Sequence, residues 1–332
     1  MAEAKRNYFS LPKALFFALG ASLLFFLIWR VGYGAILSII ARAKIIFLLA
    51  GLLVYLILIV SRAFKWFLLL RAAGQNINYK EFLPCYLTNC LLSNLTPFKS
   101  GEAISPLILR KYLKVPFGQG ISVVIFDRFF ELMVFTVFLI AAALYLIKLG
   151  AVTGMILTII KLALAAFIIL ILFLIVIIAS PKVSLKIIAW FKPWGKYSLG
   201  NRILTLAGRE LQVFYASLSL FKNKKVYQKM IPLTVLAWLL EFLSFYLVFT
   251  AVVPAAFFQV AAAQTLSIAA TLVTFIPAGL GVGELGVVYI LTLFNYSVAL
   301  SAAGALLARL VLTGSLLAAG IAGSFLLKEK AQ

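Results

Sequence analysis

The chain has no histidine, two cysteines and only nine acidic residues among 332. Charged residues of both signs make up 12% of it, against about 25% in soluble domains. Each scarcity removes a class of protein. Without histidine there is no imidazole for general acid–base work. Cys85 and Cys90 alone supply too few ligands for zinc, and two cysteines build no disulfide scaffold. Ten prolines and 21 glycines are too few for a collagen-like or linker-rich chain. What is abundant is apolar: 65% of positions are hydrophobic. That excludes an ordinary soluble domain and a disordered chain, and leaves a polytopic membrane protein.

A helix needs roughly 20 apolar residues to cross the bilayer core. Six stretches meet or approach that length: 14–29, 45–70, 118–147, 154–179, 231–253 and 298–327. They lack the alternation of a β-barrel, so the expected class is all-α. The first stretch follows basic residues, as a signal peptide does, but Trp29-Arg30-Val31 offers no small-residue cleavage site. It is read as an uncleaved anchor.

The 30 bases are unevenly placed. With the N-terminus cytoplasmic, 23 fall inside, including Arg62, Lys65, Lys99 and ten from Lys182 to Lys229. Five lie outside or near that edge: Arg30, Arg42, Lys44, Lys148 and Lys161. Arg128 and Arg309 fall within spans. The asymmetry predicts a multi-pass membrane protein with both termini on the cytoplasmic side. The net charge of +21 therefore reports orientation and gives no reason to expect nucleic acid. Within 181–230, Leu204, Ala207, Leu211, Phe214, Leu218 and Phe221 recur at helical spacing. That predicts a basic amphipathic helix on the inner leaflet, serving either as an orientation loop or as a contact for anionic lipid.

Two apolar stretches are broken. Pro84, Pro97, Gly101 and Pro106 interrupt 81–114, which has bases at both ends. Pro277, Gly279, Gly281 and Gly283 interrupt 259–294. Both read as re-entrant hairpins, a form tolerated only where protein or a wet cavity surrounds it. The halves match. Residues 45–147 run span, hairpin with Gly101-Glu102, then span with Arg128. Residues 231–327 run span, hairpin with Gly283-Glu284, then span with Arg309. This predicts an inverted-topology repeat within a single membrane domain, 1–332.

Five acids fall inside the membrane: Glu102, Asp127, Glu131, Glu241 and Glu284. Buried charges of this kind face the interior and either pair or work. Asp127 and Glu131 lie one helical turn apart and suit a packing cluster with Arg128 as well as a site. Glu102 and Glu284 each follow a glycine at the start of a possible re-entrant helix, where amide groups favour anions. Arg128 and Arg309 suit a phosphodiester, or they neutralise those two acids. The candidate translocation residues are Glu102, Arg128, Glu241, Glu284 and Arg309. Lys99, Gly101, Asp127, Glu131, Pro277, Gly281 and Gly283 support them. Expected together, they line a polar cavity at the repeat interface.

The segments SGEAISPLILRKYL (100–113), FDR (126–128) and FIPAGLGVGELG (275–286), with Arg309 beyond, resemble the lysylphosphatidylglycerol synthase transmembrane-region family. The resemblance runs from about Leu15 to Leu327. It implies a flippase-like membrane protein. In familiar members this region flips aminoacylated phosphatidylglycerol, and a soluble C-terminal aminoacyltransferase makes that lipid. Here LLKEKAQ follows the last span, so the resemblance implies translocation without synthesis and leaves the cargo open. Anionic or aminoacylated phospholipid, a glycolipid and a polyprenyl-phosphate carrier all remain candidates. A separate lipid-synthesising enzyme and a homo-oligomer are possible partners.

Other readings are weaker. Gly281, Gly283 and Gly286 match a dinucleotide-binding pattern, but an apolar helix precedes them and no acid follows before Glu329. An intramembrane lipid-headgroup transferase needs a catalytic group, and with Asp127 the sole aspartate a carboxylate–metal motif is missing. No metal or cofactor is expected. A non-transporting scaffold remains open. The cysteines read as small apolar fillers.

Overall fold

The computed structural model describes residues 11–95, 97–150, 154–180, 210–218, 223–274, 276 and 279–329. No strand occurs among them. Helix α1 (Leu11–Val31) breaks at Gly32, whose φ of 92° suits a residue without a Cβ. The chain leaves it at 84° as α2 (Tyr33–Ile40). Then follow α3 (Ile45–Ala72), α4 (Tyr79–Leu95), a 3-10 helix (Pro97–Ile104) and α5 (Ser105–Leu113). Two long helices come next, α6 (Phe117–Lys148) and α7 (Gly154–Ala179), and then the short α8 (210–218). The second half contains α9 (Lys224–Thr250), α10 (Phe257–Thr274), α11 (Val282–Thr292) and α12 (Val298–Glu329). A π turn, Arg309–Thr313, interrupts α12.

Five helices are long and apolar enough to span: α3, α6, most of α7, α9 and α12. The bent pair α1–α2 makes a sixth only if counted as one span. The protein is thus an all-α polytopic membrane protein, as its composition requires. Its outer surface carries the expected apolar side chains, Ile46, Leu53, Val137 and Ile169 among them. The two interrupted stretches are short helices, with α5, α10 and α11 at nine, 18 and 11 residues.

Packing crosses between the halves. Helix α3 lies along α9, where Gly51 brings its backbone against Ser244 and Val248. The first arm of each hairpin packs on the last long helix of the other half. Helix α4 meets the C-terminal part of α12, and α10 meets α6. Gly320 and Gly323 let α12 approach Leu87 and Leu91 of α4. Small residues at such contacts let helix backbones come close, which is how helices associate in lipid.

Helix α8 corrects one expectation. Its apolar face turns away from the leaflet and into the protein. Phe214 and Leu218 are buried in a cluster with Phe126, Phe130, Leu70 and Met230, and Leu211 packs beside them. The Tyr215 hydroxyl donates to the carbonyls of Ile177 and Ser180 at the end of α7, at 2.9 and 3.1 Å. The Gly118 amide, in the first turn of α6, donates to the Glu210 carboxylate at 2.7 Å. An amphipathic period is satisfied equally by a membrane surface and by a protein groove, and here the groove takes it. Leu204, Ala207 and Phe221 lie outside the described residues.

Candidate functional site

The buried charges form two groups. The first is a ladder across α3, α6 and α9. Arg128 holds Glu102 at 3.2 Å and the neighbouring Asp127 at 2.8 Å. Lys65 of α3 holds Asp127 at 2.9 Å and also pairs with Glu131. One turn away on α3, Arg62 holds Glu241 of α9 at 3.0 Å, and its guanidinium lies over the Trp238 ring. Lys65 and Asp127 are almost wholly enclosed, each 1% exposed.

The second group sits at the other hairpin. Glu284 is the third residue of α11. Its carboxylate pairs with Arg309 and accepts the Gly281 amide at 2.9 Å. Arg309 also donates to the Gly279 carbonyl at 3.1 Å, and Ser267 of α10 donates to the Gly283 carbonyl. Gly279 and Gly281 have φ of 62° and 75°, and a Cβ on Gly281 would strike Leu23 of α1. The glycines thus let the hairpin turn tightly enough to place Glu284 against Arg309. Arg309 opens the π turn of α12. Such single turns recur at functional sites because they re-aim a side chain within a helix.

The matched spacing therefore marked real pairs: Glu102 with Arg128, and Glu284 with Arg309. Local settings differ. Glu284 lies inside the first turn of α11, whereas Glu102 lies in the 3-10 helix, three residues before α5. Gly101 presses on the Leu92 carbonyl of α4, so no larger residue fits that fold-back.

Two expectations change. Arg62 and Lys65 are not solvated loop charges; both are ion-paired between helices. Five buried acids therefore face four bases. Nor do the described contacts gather the five candidate residues around one cavity. Glu102, Arg128 and Glu241 belong to the ladder, whereas Glu284 and Arg309 pair at the second hairpin, with the π turn that begins at Arg309 packed against α3 and α9. A cavity of about 350 Å³ lies elsewhere, lined by Glu81, Tyr112, Leu113 and Leu327. Pro277 and the side chain of Lys99 lie outside the described residues. Among the described residues, no group of three His, Cys, Asp or Glu side chains is placed to hold a metal ion.

Long apolar helices, two interrupted helical hairpins and a Glu–Arg pair at each hairpin define a polytopic membrane protein with paired, charged broken segments. The comparison with known proteins gives that class a family. A family model described as the lysylphosphatidylglycerol synthase TM region matches residues 14–320, and the chain belongs to that family. It is similar to the UPF0104 membrane protein of Pyrococcus horikoshii, 24% identical over 286 residues, covering 82% of this chain and 85% of that protein. A UPF0104 membrane protein of Methanocaldococcus jannaschii is 23% identical, covering 85% and 84%. Another, from Methanothermobacter thermautotrophicus, is 24% identical and covers 93% and 94%.

Proposed function

We propose that the protein is a lipid translocase, moving a phospholipid or a lipid-linked headgroup between the leaflets of a prokaryotic cytoplasmic membrane. The two halves, 45–147 and 231–327, act as an inverted repeat, and both termini face the cytoplasm. The observation that carries this is the pair of hairpin ion pairs. Each joins a Glu in an interrupted segment to an Arg on a long helix of the same half. Each arginine keeps part of its side chain accessible, 35% for Arg128 and 22% for Arg309. A lipid phosphate offers the geometry that an arginine fork holds best. It would displace the Glu from one Arg while the acyl or prenyl tails stayed in the bilayer. Handing the headgroup from one hairpin to the other moves it between leaflets.

The Lys65–Asp127–Glu131 cluster has a different job in this reading. Its charges are enclosed and mutually paired, so it fixes α3 to α6 and takes no cargo. The same enclosure is what a purely structural scaffold would have throughout, and the partly accessible arginines favour transport over that alternative.

The test is translocation of fluorescent phosphatidylglycerol in vesicles carrying the purified protein, read by quenching of the outer leaflet. Losing a charge-assisted contact of about 1.5–3 kcal/mol slows the step by about 10- to 100-fold. Glu284→Gln and Arg309→Ala are expected to fall in that range with the fold intact. Transport at the unmodified rate in both variants would remove these residues from the mechanism.

A further inference from the structure

The halves correspond with a nearly constant offset. Glu102 matches Glu284 and Arg128 matches Arg309, 182 and 181 positions apart. Applied to the first long helix of each half, nearly the same offset, 179, takes Arg62 to Glu241. Each is the eighteenth residue of its helix, α3 and α9. These two matched residues touch each other, at 3.0 Å.

That contact has a geometric meaning. Along α3 the partners on α9 run backwards. The Lys44 amide bonds the Ala251 carbonyl, Gly51 meets Val248 and Ser244, and Arg62 meets Glu241. The helices are antiparallel. In an antiparallel pair related by a two-fold rotation, matched positions meet only where the axis crosses. Elsewhere a contact has a displaced twin. The twin of Gly51 with Val248 is Met230 with Leu69, and both of these are buried in one apolar cluster.

We propose that Arg62 and Glu241 lie on the pseudo-two-fold axis and are the fixed pivot about which the two halves exchange conformations. This rests on the repeat and translocation reading above. When two repeats swap conformations, every off-axis contact is exchanged for its twin. A contact on the axis is its own twin and survives. The hairpin pairs Glu102–Arg128 and Glu284–Arg309 are twins of each other and are free to open in turn. Opposite charges suit a pivot in lipid, because the pair holds both helices while leaving little net charge in the membrane.

Electron–electron spin distances test this without any transport assay. In a Cys85→Ala, Cys90→Ala background, one label pair joins the lipid-facing Ile57 of α3 to Leu239 of α9. Two others report the hairpins, Ile104 with Ile140 and Tyr289 with Ile321, all exposed. Each is measured in detergent and in phosphatidylglycerol–phosphatidylethanolamine vesicles. The expected result is one unchanged, narrow α3–α9 distance while at least one hairpin distance shifts or splits. Arg62→Glu alone should broaden the α3–α9 distance, and the exchange Arg62→Glu with Glu241→Arg should restore it. An α3–α9 distance that moves with the hairpins overturns the pivot and leaves the exchange standing. Hairpin distances that never change overturn the exchange, and the pivot with it.

Discussion

Lys65→Met tests the ladder most directly, because Met keeps most of the volume and removes only the charge. Lys65 is 1% exposed and is shared between Asp127 and Glu131. After substitution Asp127 still holds Arg128 at 2.8 Å, whereas Glu131 loses its ion-pair partner and keeps only the weaker attraction of Arg62 and Arg128. Removing one member of a buried pair typically costs about 3–5 kcal/mol, because the other charge is left uncompensated. An unpaired acid at the centre of a membrane costs about 2.5–3.5 kcal/mol on insertion scales, which agrees. Lys65→Met should therefore lose about 3–5 kcal/mol. Adding Glu131→Gln removes the stranded charge and should recover at least half of it. The assay is reversible unfolding in mixed micelles by titration with dodecyl sulfate, followed by helical circular dichroism. A loss under about 1 kcal/mol, the range of exposed pairs, or a double variant no more stable than the single, would refute the argument.

The remaining predictions concern packing. Phe214→Ala should lose about 3–5 kcal/mol in the same titration, the usual cost of emptying a core aromatic site, and vesicle binding should not change because that face is inside the protein. Gly101→Ala forces a Cβ into the Leu92 carbonyl and should cost about 1–3 kcal/mol, with weaker protection of the 97–104 amides in hydrogen exchange.

The sequence made the hairpin pairs legible because a Gly-Glu in each broken segment and an Arg in the span after it recur at nearly the same spacing in both halves. It did not disclose Arg62 and Lys65, which lie close enough to Arg71 to pass for interfacial bases. Helix α3 is 28 residues long, about 42 Å at roughly 1.5 Å per residue, longer than the bilayer core. Arg71 therefore suffices to mark the interface, and Arg62 lies well below it. A clue was present in the charge balance, since five membrane acids against two arginines left three carboxylates without partners. The bend at Gly32 was not legible, because Arg30 marks only where the apolar run ends and gives no direction to the short helix that follows. The orientation of α8 could not be read either: its period fixes a face, and only the fold supplies what that face meets.

The π turn at Arg309–Thr313 has a consequence for α12 as a whole. A π turn takes up one extra residue locally, so that beyond it the residues presented on any one face shift by one position. The part before the turn faces α2 and α11, and the part after it faces α4. A continuous α-helix of the same residues would turn everything beyond Thr313 by about 100° from where it lies. The π turn thus lets one span hold Glu284 of the second hairpin through Arg309 and dock Gly320 and Gly323 on α4 of the first. Winding that turn back into regular α-helix without removing a residue would aim the far half of α12 at the wrong neighbour, whereas deleting one residue within the turn would leave both halves docked.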